Sequence, residues 1–359
     1  MTVLVLGVNT GTSVDGVDFA LVDWDINDIK NFRIVKEVSY EFDPGVKHDV
    51  EVLIGKQRGS LEEISNLNYK FSQFLASLIV DLQKDISERI ELLGVHGQTI
   101  FHGPLSTFQL VKPSVIAKLT GIPCVADFRS GDLAAGGCGA PLTSFLDDQI
   151  IKDNSETRAT LNLGGIANIS VLETGKDTLA YDTGPANTLI DVLVKKLFQK
   201  DFDDKGEIAF SGKVDERFID TLIKRTEYLH QEAPKSTGRE LFDEKFADKF
   251  LDLGNKENIV ATTSYFTVKT IHDELKKYPI KTLYVSGGGI NNEFIMQHLK
   301  TLNPEIYFTD HSQFGIKSQY KEAILFSLLA YTCLHKIPNN IPSSTGAKRA
   351  TVLGVIANP

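Results

Sequence analysis

The sequence predicts an α/β protein of two domains, on three observations. Its 359 residues exceed one ordinary domain of roughly 150 residues. Short apolar strand candidates alternate with stretches of helical periodicity. A pattern of strand, glycine turn and return strand at 3–24 recurs at 159–172, which signals an internal duplication. Hydrophobic residues make up 42% and charged residues 24%, the balance of a folded globular chain, which excludes disorder.

The apolar run 3–8 reads as a strand entering a turn at 9–16, with the return strand at 17–24. A stretch rich in Val, Ile, Tyr and Phe at 32–42 is a third strand. Leu61, Ile64, Leu67, Phe71, Phe74, Leu75 and Leu78 fall at helical spacing within 61–82. Strands follow at 91–95 and 108–111, a helix opening on proline at 113–119, and a strand at 122–126. The second half repeats the opening with strand 159–163, turn Gly164-Gly165, return strand 166–172 and a third strand at 178–181. A helix at 187–198, a mostly helical stretch at 215–251 and a long helix at 261–277 come next, then a strand at 282–285. An apolar helix at 322–334, a loop rich in Pro, Asn and Ser at 336–345 and a strand at 350–356 complete the chain. Glycine density peaks at 131–141, which puts residues 1–130 with 337–359 in a first domain and 131–336 in a second.

Lys plus Arg is 38 against 47 Asp plus Glu, a net charge of -9 that argues against a broad nucleic-acid-binding face. The three cysteines, Cys124, Cys138 and Cys333, form no CxxC pair and are too dispersed for a disulfide framework. The opening apolar run lacks a basic flank and stops at Gly7, too short for a signal peptide or membrane span, so the expectation is a cytoplasmic protein without membrane association. No P-loop, no GxGxxG, no HExxH and no GxSxG occurs, which removes the main support for a P-loop NTPase, a Rossmann dehydrogenase, a zincin or an α/β-hydrolase.

Seven segments carry chemistry. GVNTGTSVDGVD (7–18) gathers Gly11, Thr12, Ser13, Asp15, Gly16 and Asp18, and its amides and hydroxyls suit a phosphate; a plain hairpin turn is the alternative. GVHGQTIFH (94–102) places His96, Gln98, Thr99 and His102 beyond a strand end, where α/β sheets bind ligands, although either His also suits a structural hydrogen bond. VADFRSGDLAAGGCGAPL (125–142) offers Arg129 for an anionic or hydroxyl-rich ligand and glycines for a hinge; an internal Asp-Arg salt bridge and a flexible loop explain it equally. YDTGPAN (181–187) sets Asp182 at a strand end before a helix, as a general base requires, or as a simple cap. PKSTGRE (234–240) and SGGGINN (286–292) follow, the triple glycine Gly287, Gly288 and Gly289 permitting an adenosine to pack on backbone or merely opening a helix. Glu322, alone at the start of an apolar helix, is by itself a dipole partner.

In this order GTSVDGVD, HGQTIFH, DFRSGDLAAGGCGAPL, NLGGIANIS, DTGPAN, PKSTGRE and SGGG resemble the anhydro-N-acetylmuramic acid kinase family, over residues 5 to about 330. The resemblance implies the actin/hexokinase/Hsp70-type (ASKHA) fold, two duplicated α/β domains closing on an interdomain cleft. It implies a homodimer that takes ATP and Mg²⁺, hydrolyses the 1,6-anhydro bond of 1,6-anhydro-N-acetylmuramic acid and phosphorylates O6 to give N-acetylmuramic acid 6-phosphate. Asp182 matches the family's general base. Gly11, Thr12, Ser13, Asp15, Gly16 and Asp18 match its phosphate-binding turn, with Gly164 and Gly165 as the counterpart in the second domain. By the same resemblance Gly287, Gly288 and Gly289 border adenosine, Gln98, Thr99 and Arg129 contact the sugar, and Glu322 meets the metal or its waters.

One departure keeps the substrate open at this point. Bacterial members usually read Met-Ser-Gly-Thr-Ser where this chain has Asn9, Thr10, Gly11, Thr12 and Ser13, and an Asn there resembles the levoglucosan kinases, which act on 1,6-anhydroglucose and give glucose 6-phosphate. A sensor that binds nucleotide or sugar without turnover is a second alternative, opposed by the presence of Asp182, Asp15 and Glu322.

Overall fold

The computed structural model describes every residue except Met1, Thr12, Ser13, Gln57 and Arg239. Two compact units result, Met1–Ile150 with Gly315–Pro359, and Ile151–Phe314.

In the first unit β1 (Thr2–Thr10), β2 (Val17–Asp25) and β3 (Arg33–Tyr40) form an antiparallel meander. β4 (Leu92–Val95) runs parallel to β1, β5 (Gln98–His102) and β6 (Thr107–Leu110) make a separate hairpin, and β7 (Cys124–Ala126) pairs parallel to β4. In the second unit β8 (Arg158–Leu163), β9 (Ile166–Leu172) and β10 (Leu179–Pro185) repeat the meander. β11 (Thr282–Ser286) runs parallel to β8 and β12 (Tyr307–Thr309) parallel to β11. β13 (Val355–Ala357) returns to the first sheet beside β7. The orders are therefore β3-β2-β1-β4-β7 and β10-β9-β8-β11-β12, one topology used twice, with β13 added to the first. That duplicated topology is the actin/hexokinase/Hsp70-type fold, and the repeat seen in the sequence is real.

Alternation decides what each sheet buries. Leu4, Leu6 and Val8 of β1 join a core with the Leu61–Asp85 helix, whose Leu67, Phe71, Leu75 and Ile79 recur every four residues. Ser60 and Glu63 close that helix's start with a reciprocal capping box. The opposite face of β1 meets the Lys321–Leu334 helix at very short range. A Cβ on Gly7 would lie 1.8 Å from the Ala323 carbonyl oxygen, and one on Gly94 of β4 would lie 2.1 Å from that of Phe326. Trp24 Nε1 donates to Ser327 Oγ at 3.0 Å on the same helix. In the second unit Leu161, Leu163, Ile169 and Val171 pack on Val260, Val268 and Ile271 of the Lys256–Leu275 helix.

Several boundaries differ from the sequence expectation. The expected division at 130/131 and 336/337 falls instead at 150/151 and 314/315, because the Lys321–Leu334 helix is seated on the first sheet. The glycine segment 131–141 is held firmly within the first unit rather than serving as a hinge. The fully buried Asp132 accepts from Gly139 N, Asn340 Nδ2 and Thr345 Oγ1, each at 2.8 Å. Asp132→Ala leaves these donors unsatisfied and is expected to cost about 3 kcal/mol, seen as a lower urea midpoint. A helix at Pro44–Lys56 was not expected; Asp43 Oδ1 accepts from Gly45 N and Val46 N at its start. The expected strand 178–181 extends to Pro185, and the expected loop 336–345 contains a short helix at Pro342–Thr345.

Candidate active site

In the second unit Asp182 lies inside β10 rather than at a strand end. The register slips between Asp182 and Gly184, a bulge that leaves Thr183 unmatched and re-aims the strand. Tyr181 points into the core, so Asp182 faces the other way and stays half-buried. Its Oδ2 accepts from Ser236 Oγ and from Thr237 N, each at 2.9 Å. Its backbone is tied as well: Asp182 N donates to Lys235 O at 3.1 Å, and Tyr228 Oη donates to Asp182 O at 2.7 Å. Burial raises the Asp182 pKa above the usual aspartate value, with the Thr237 and Ser236 hydrogen bonds opposing and the Glu240 charge adding to the rise. The result is a fixed carboxylate with one oxygen held by donors and a basicity above that of an ordinary aspartate.

Glycines gather at the neighbouring strand ends. Gly287, at φ 88°, follows β11, and a Cβ there would lie 2.7 Å from both Asn162 Oδ1 and the Leu163 carbonyl, so only glycine fits against β8. Gly289 is buried against Leu163, while Gly288 is exposed with open space above it. The Gly164 and Gly165 carbonyls accept from Asn187 N and Ala186 N at 3.1 and 2.9 Å, which pins this turn to the start of the Asn187–Phe198 helix. The structure thus brings Gly164, Gly165, Gly287 and Gly289 together.

In the first unit the β1–β2 turn spans 11–16. Thr12 and Ser13 lie outside the described residues. Val14, at φ 56°, donates its N–H to Gly11 O, and Asp15 is exposed. Asp18 is not part of the turn: it sits in β2, its Oδ1 accepting from Ser39 Oγ of β3 and from Gln319 Nε2. Gln98, with no exposed surface, donates from Nε2 to Gly11 O at 3.3 Å and supports the turn from below. Thr99 alternates to the other face of β5 and meets Gln109 Nε2 at 3.4 Å, away from Gln98.

Arg129 Nε donates to His96 Nε2 at 3.0 Å, and its Nη1 to Gly139 O at 2.8 Å. An arginine only donates, so His96 Nε2 accepts and the proton of the neutral ring sits on Nδ1. Burial and then the Arg129 charge hold His96 well below its usual pKa, consistent with that neutral ring, which stacks on Phe326 at 4.4 Å. Asn9 Nδ2 donates to Glu322 Oε2 at 2.7 Å, and Glu322 is exposed. Asn9 Oδ1, Thr10 Oγ1, His96 Nδ1 and Gln98 Oε1 are buried without a hydrogen-bond partner among the described residues. All four belong to the carboxyl ends of the parallel neighbours β1 and β4 or follow directly. Asn9 and His96 share the face covered by the Lys321–Leu334 helix, through Glu322 and Phe326, whereas Thr10 alternates to the other face of β1. Unpaired buried polar groups are costly, so Asn9 and His96 mark a place prepared for a polar ligand or its water.

Residues 3–359 match the family described as anhydro-N-acetylmuramic acid kinase. The chain belongs to this family. The anhydro-N-acetylmuramic acid kinase of Vibrio vulnificus is 36% identical over 98% of this chain and 98% of its own. That of Bacillus thuringiensis subsp. konkukian is 35% identical over 99% of both. A solved structure, component A of the Acidaminococcus fermentans (R)-2-hydroxyglutaryl-CoA dehydratase, is similar at TM-score 0.45 and 13% identity over 93% of this chain and 100% of that one. The fold assignment rests on the two strand orders and not on this distant likeness. Ser236 and Thr237, which hold Asp182, and Asn9, which holds Glu322, make contacts that the sequence does not predict, whereas His96 is among the residues expected from it. In the sequence Asn9 is only a departure from the family motif, and PKSTGRE carries no function by itself. No helix among the described residues is long and apolar enough to cross a membrane.

Proposed function

We propose that this chain is an ATP-dependent kinase that opens the 1,6-anhydro bridge of 1,6-anhydro-N-acetylmuramic acid with water and phosphorylates the O6 so released. The observation that carries the reading is the Asp182 carboxylate, half-buried, raised in pKa and held, among the described residues, through Oδ2. The other oxygen takes a proton from a water attacking C1. The C1–O6 bond breaks, its electron pair leaves with O6, and O6 attacks the γ-phosphorus of ATP, with ADP as the leaving group. One water, one bridge and one phosphoryl group are consumed per turnover, and the product is N-acetylmuramic acid 6-phosphate.

The turn 11–16, Gly164, Gly165 and Gly287 to Gly289 are assigned to the nucleotide. Gln98 and Arg129, with the unpaired polar atoms beside them, are assigned to the sugar, and Thr99 to a lesser contact. Among the described residues no group of three or more His, Cys, Asp or Glu is placed to hold a metal. Glu322, exposed and with one oxygen taken by Asn9, would be an outer partner for Mg²⁺ through the ion's waters. Such an ion supplies charge neutralisation on the transferring group. The cytoplasmic location and homodimer implied by the resemblance belong to this proposal.

The levoglucosan alternative is not favoured: the relatives above carry the muramic acid name, and Asn9 is engaged with Glu322. The sensor alternative is not favoured because the base and its donors are in place. A coupled assay of kcat/KM with Mg-ATP, run on both anhydro sugars, tests the choice. The amino sugar is expected to be preferred by about a hundredfold or more, as buried polar groups left unpaired by the smaller sugar would require. Preference for levoglucosan would overturn the substrate assignment.

A further inference from the structure

Beneath Asp182 lies a buried ion pair that the proposed reaction does not use. Lys235 Nζ meets Glu274 Oε1 at 2.8 Å, with side chains 2% and 4% exposed. Glu274 Oε2 also accepts from Tyr181 Oη at 3.1 Å and from Lys277 Nζ at 2.6 Å, and Lys235 Nζ lies 5.1 Å from the centre of the Tyr228 ring. Tyr181 and Tyr228 are the two aromatic residues on either side of Asp182: one precedes it in β10, the other donates to its carbonyl.

A buried ion pair adds little net stability compared with apolar packing, so its use is better sought in what it fixes. Lys235 is the residue whose carbonyl receives Asp182 N, and the next two residues supply both donors to Asp182 Oδ2. Glu274 stands on the Lys256–Leu275 helix, the rigid element behind the sheet. We infer that Lys235 and Glu274 are positioning residues: their ion pair anchors segment 234–237 to that helix and so holds the Asp182 carboxylate in register. This rests on the reading of Asp182 as the general base.

Among the described residues the groups facing Asp182 are Ser236, Thr237, Tyr228 and Glu240, and of these the hydrogen bonds of the first two lower its pKa. Releasing the segment removes those two donors. The acid limb of kcat against pH then moves to higher pH, which a purely structural role of the pair would not produce.

Lys235→Met, Glu274→Gln and Asp182→Asn are compared with the wild type by thermal unfolding, by KM for both substrates and by kcat across pH. Lys235→Met is expected to keep KM within about threefold, lose about a hundredfold in kcat and shift the acid limb upward. Glu274→Gln removes the charge but keeps one acceptor oxygen for Lys235, its NH₂ then facing Tyr181 Oη, so it should show a smaller loss and an intermediate limb. If Lys235→Met does not fold, Glu274→Gln decides alone, by that same shift. A folded Lys235→Met, or failing that Glu274→Gln, with wild-type kcat and limb overturns the inference. Activity retained in Asp182→Asn overturns the base assignment instead, whatever the other variants do.

Discussion

Asp182→Asn is expected to fold as the wild type does and to lose about a thousandfold in kcat with little change in KM. Asparagine keeps the shape of the side chain, and its amide oxygen still accepts from Ser236 Oγ and Thr237 N. What disappears is the ability to take a proton, so the loss reads out base chemistry rather than packing. The pH dependence carries the same information. Burial raises the Asp182 pKa, so the carboxylate is protonated sooner on acidification and activity falls as pH drops through that raised value. The wild-type acid limb should therefore lie above the usual aspartate range, and the residual activity of Asp182→Asn should lack it. A rate-versus-pH series on both proteins, with ATP and sugar saturating, checks both statements.

Gly7→Ala is expected to be the most destabilising single-methyl change in the first unit. The added carbon would stand 1.8 Å from the Ala323 carbonyl oxygen and 2.7 Å from Ser327 N. Both are backbone atoms of a helix, so no side-chain rotation relieves the overlap; β1 and the Lys321–Leu334 helix must separate. We expect a loss of about 3 kcal/mol or more, and a melting temperature lower by roughly 6–12 °C. Trp24 is the chain's single tryptophan and bonds to that helix through Ser327, so its fluorescence reports the separation directly. Gly55→Ala is the control, since nothing lies within 4 Å of the added carbon and the site is helical.

The duplicated hairpin was legible because alternation around a glycine turn is a local signal, and it occurs twice. The Pro44–Lys56 helix was not, since Gly45 and Gly55 lower its propensity and only Val46, Val50 and Leu53 mark its buried stripe. The 322–334 helix was legible as an apolar helix from its composition. Composition does not say which sheet a helix covers, and the domain boundary was misplaced for that reason. Asp182 stood out because its motif is compact. Glu274 did not: a carboxylate in a helix ordinarily faces water, and its partner Lys235 is 39 residues away. Likewise the Asn9 to Glu322 hydrogen bond spans 313 residues and exists only once β1 and the helix are packed. Contacts of that separation are set by topology, not by any local pattern.

In the proposed reaction, bridge opening by water and phosphoryl transfer to O6 form one coupled event. Turnover of 1,6-anhydro-N-acetylmuramic acid with Mg-ATP in oxygen-18 water, quenched early and analysed by mass spectrometry, tests it most directly. The expected product is a sugar 6-phosphate carrying one oxygen-18 on C1 and none in its phosphoryl group, with one ADP formed per sugar. Oxygen-18 in free inorganic phosphate beside an intact anhydro sugar would contradict it.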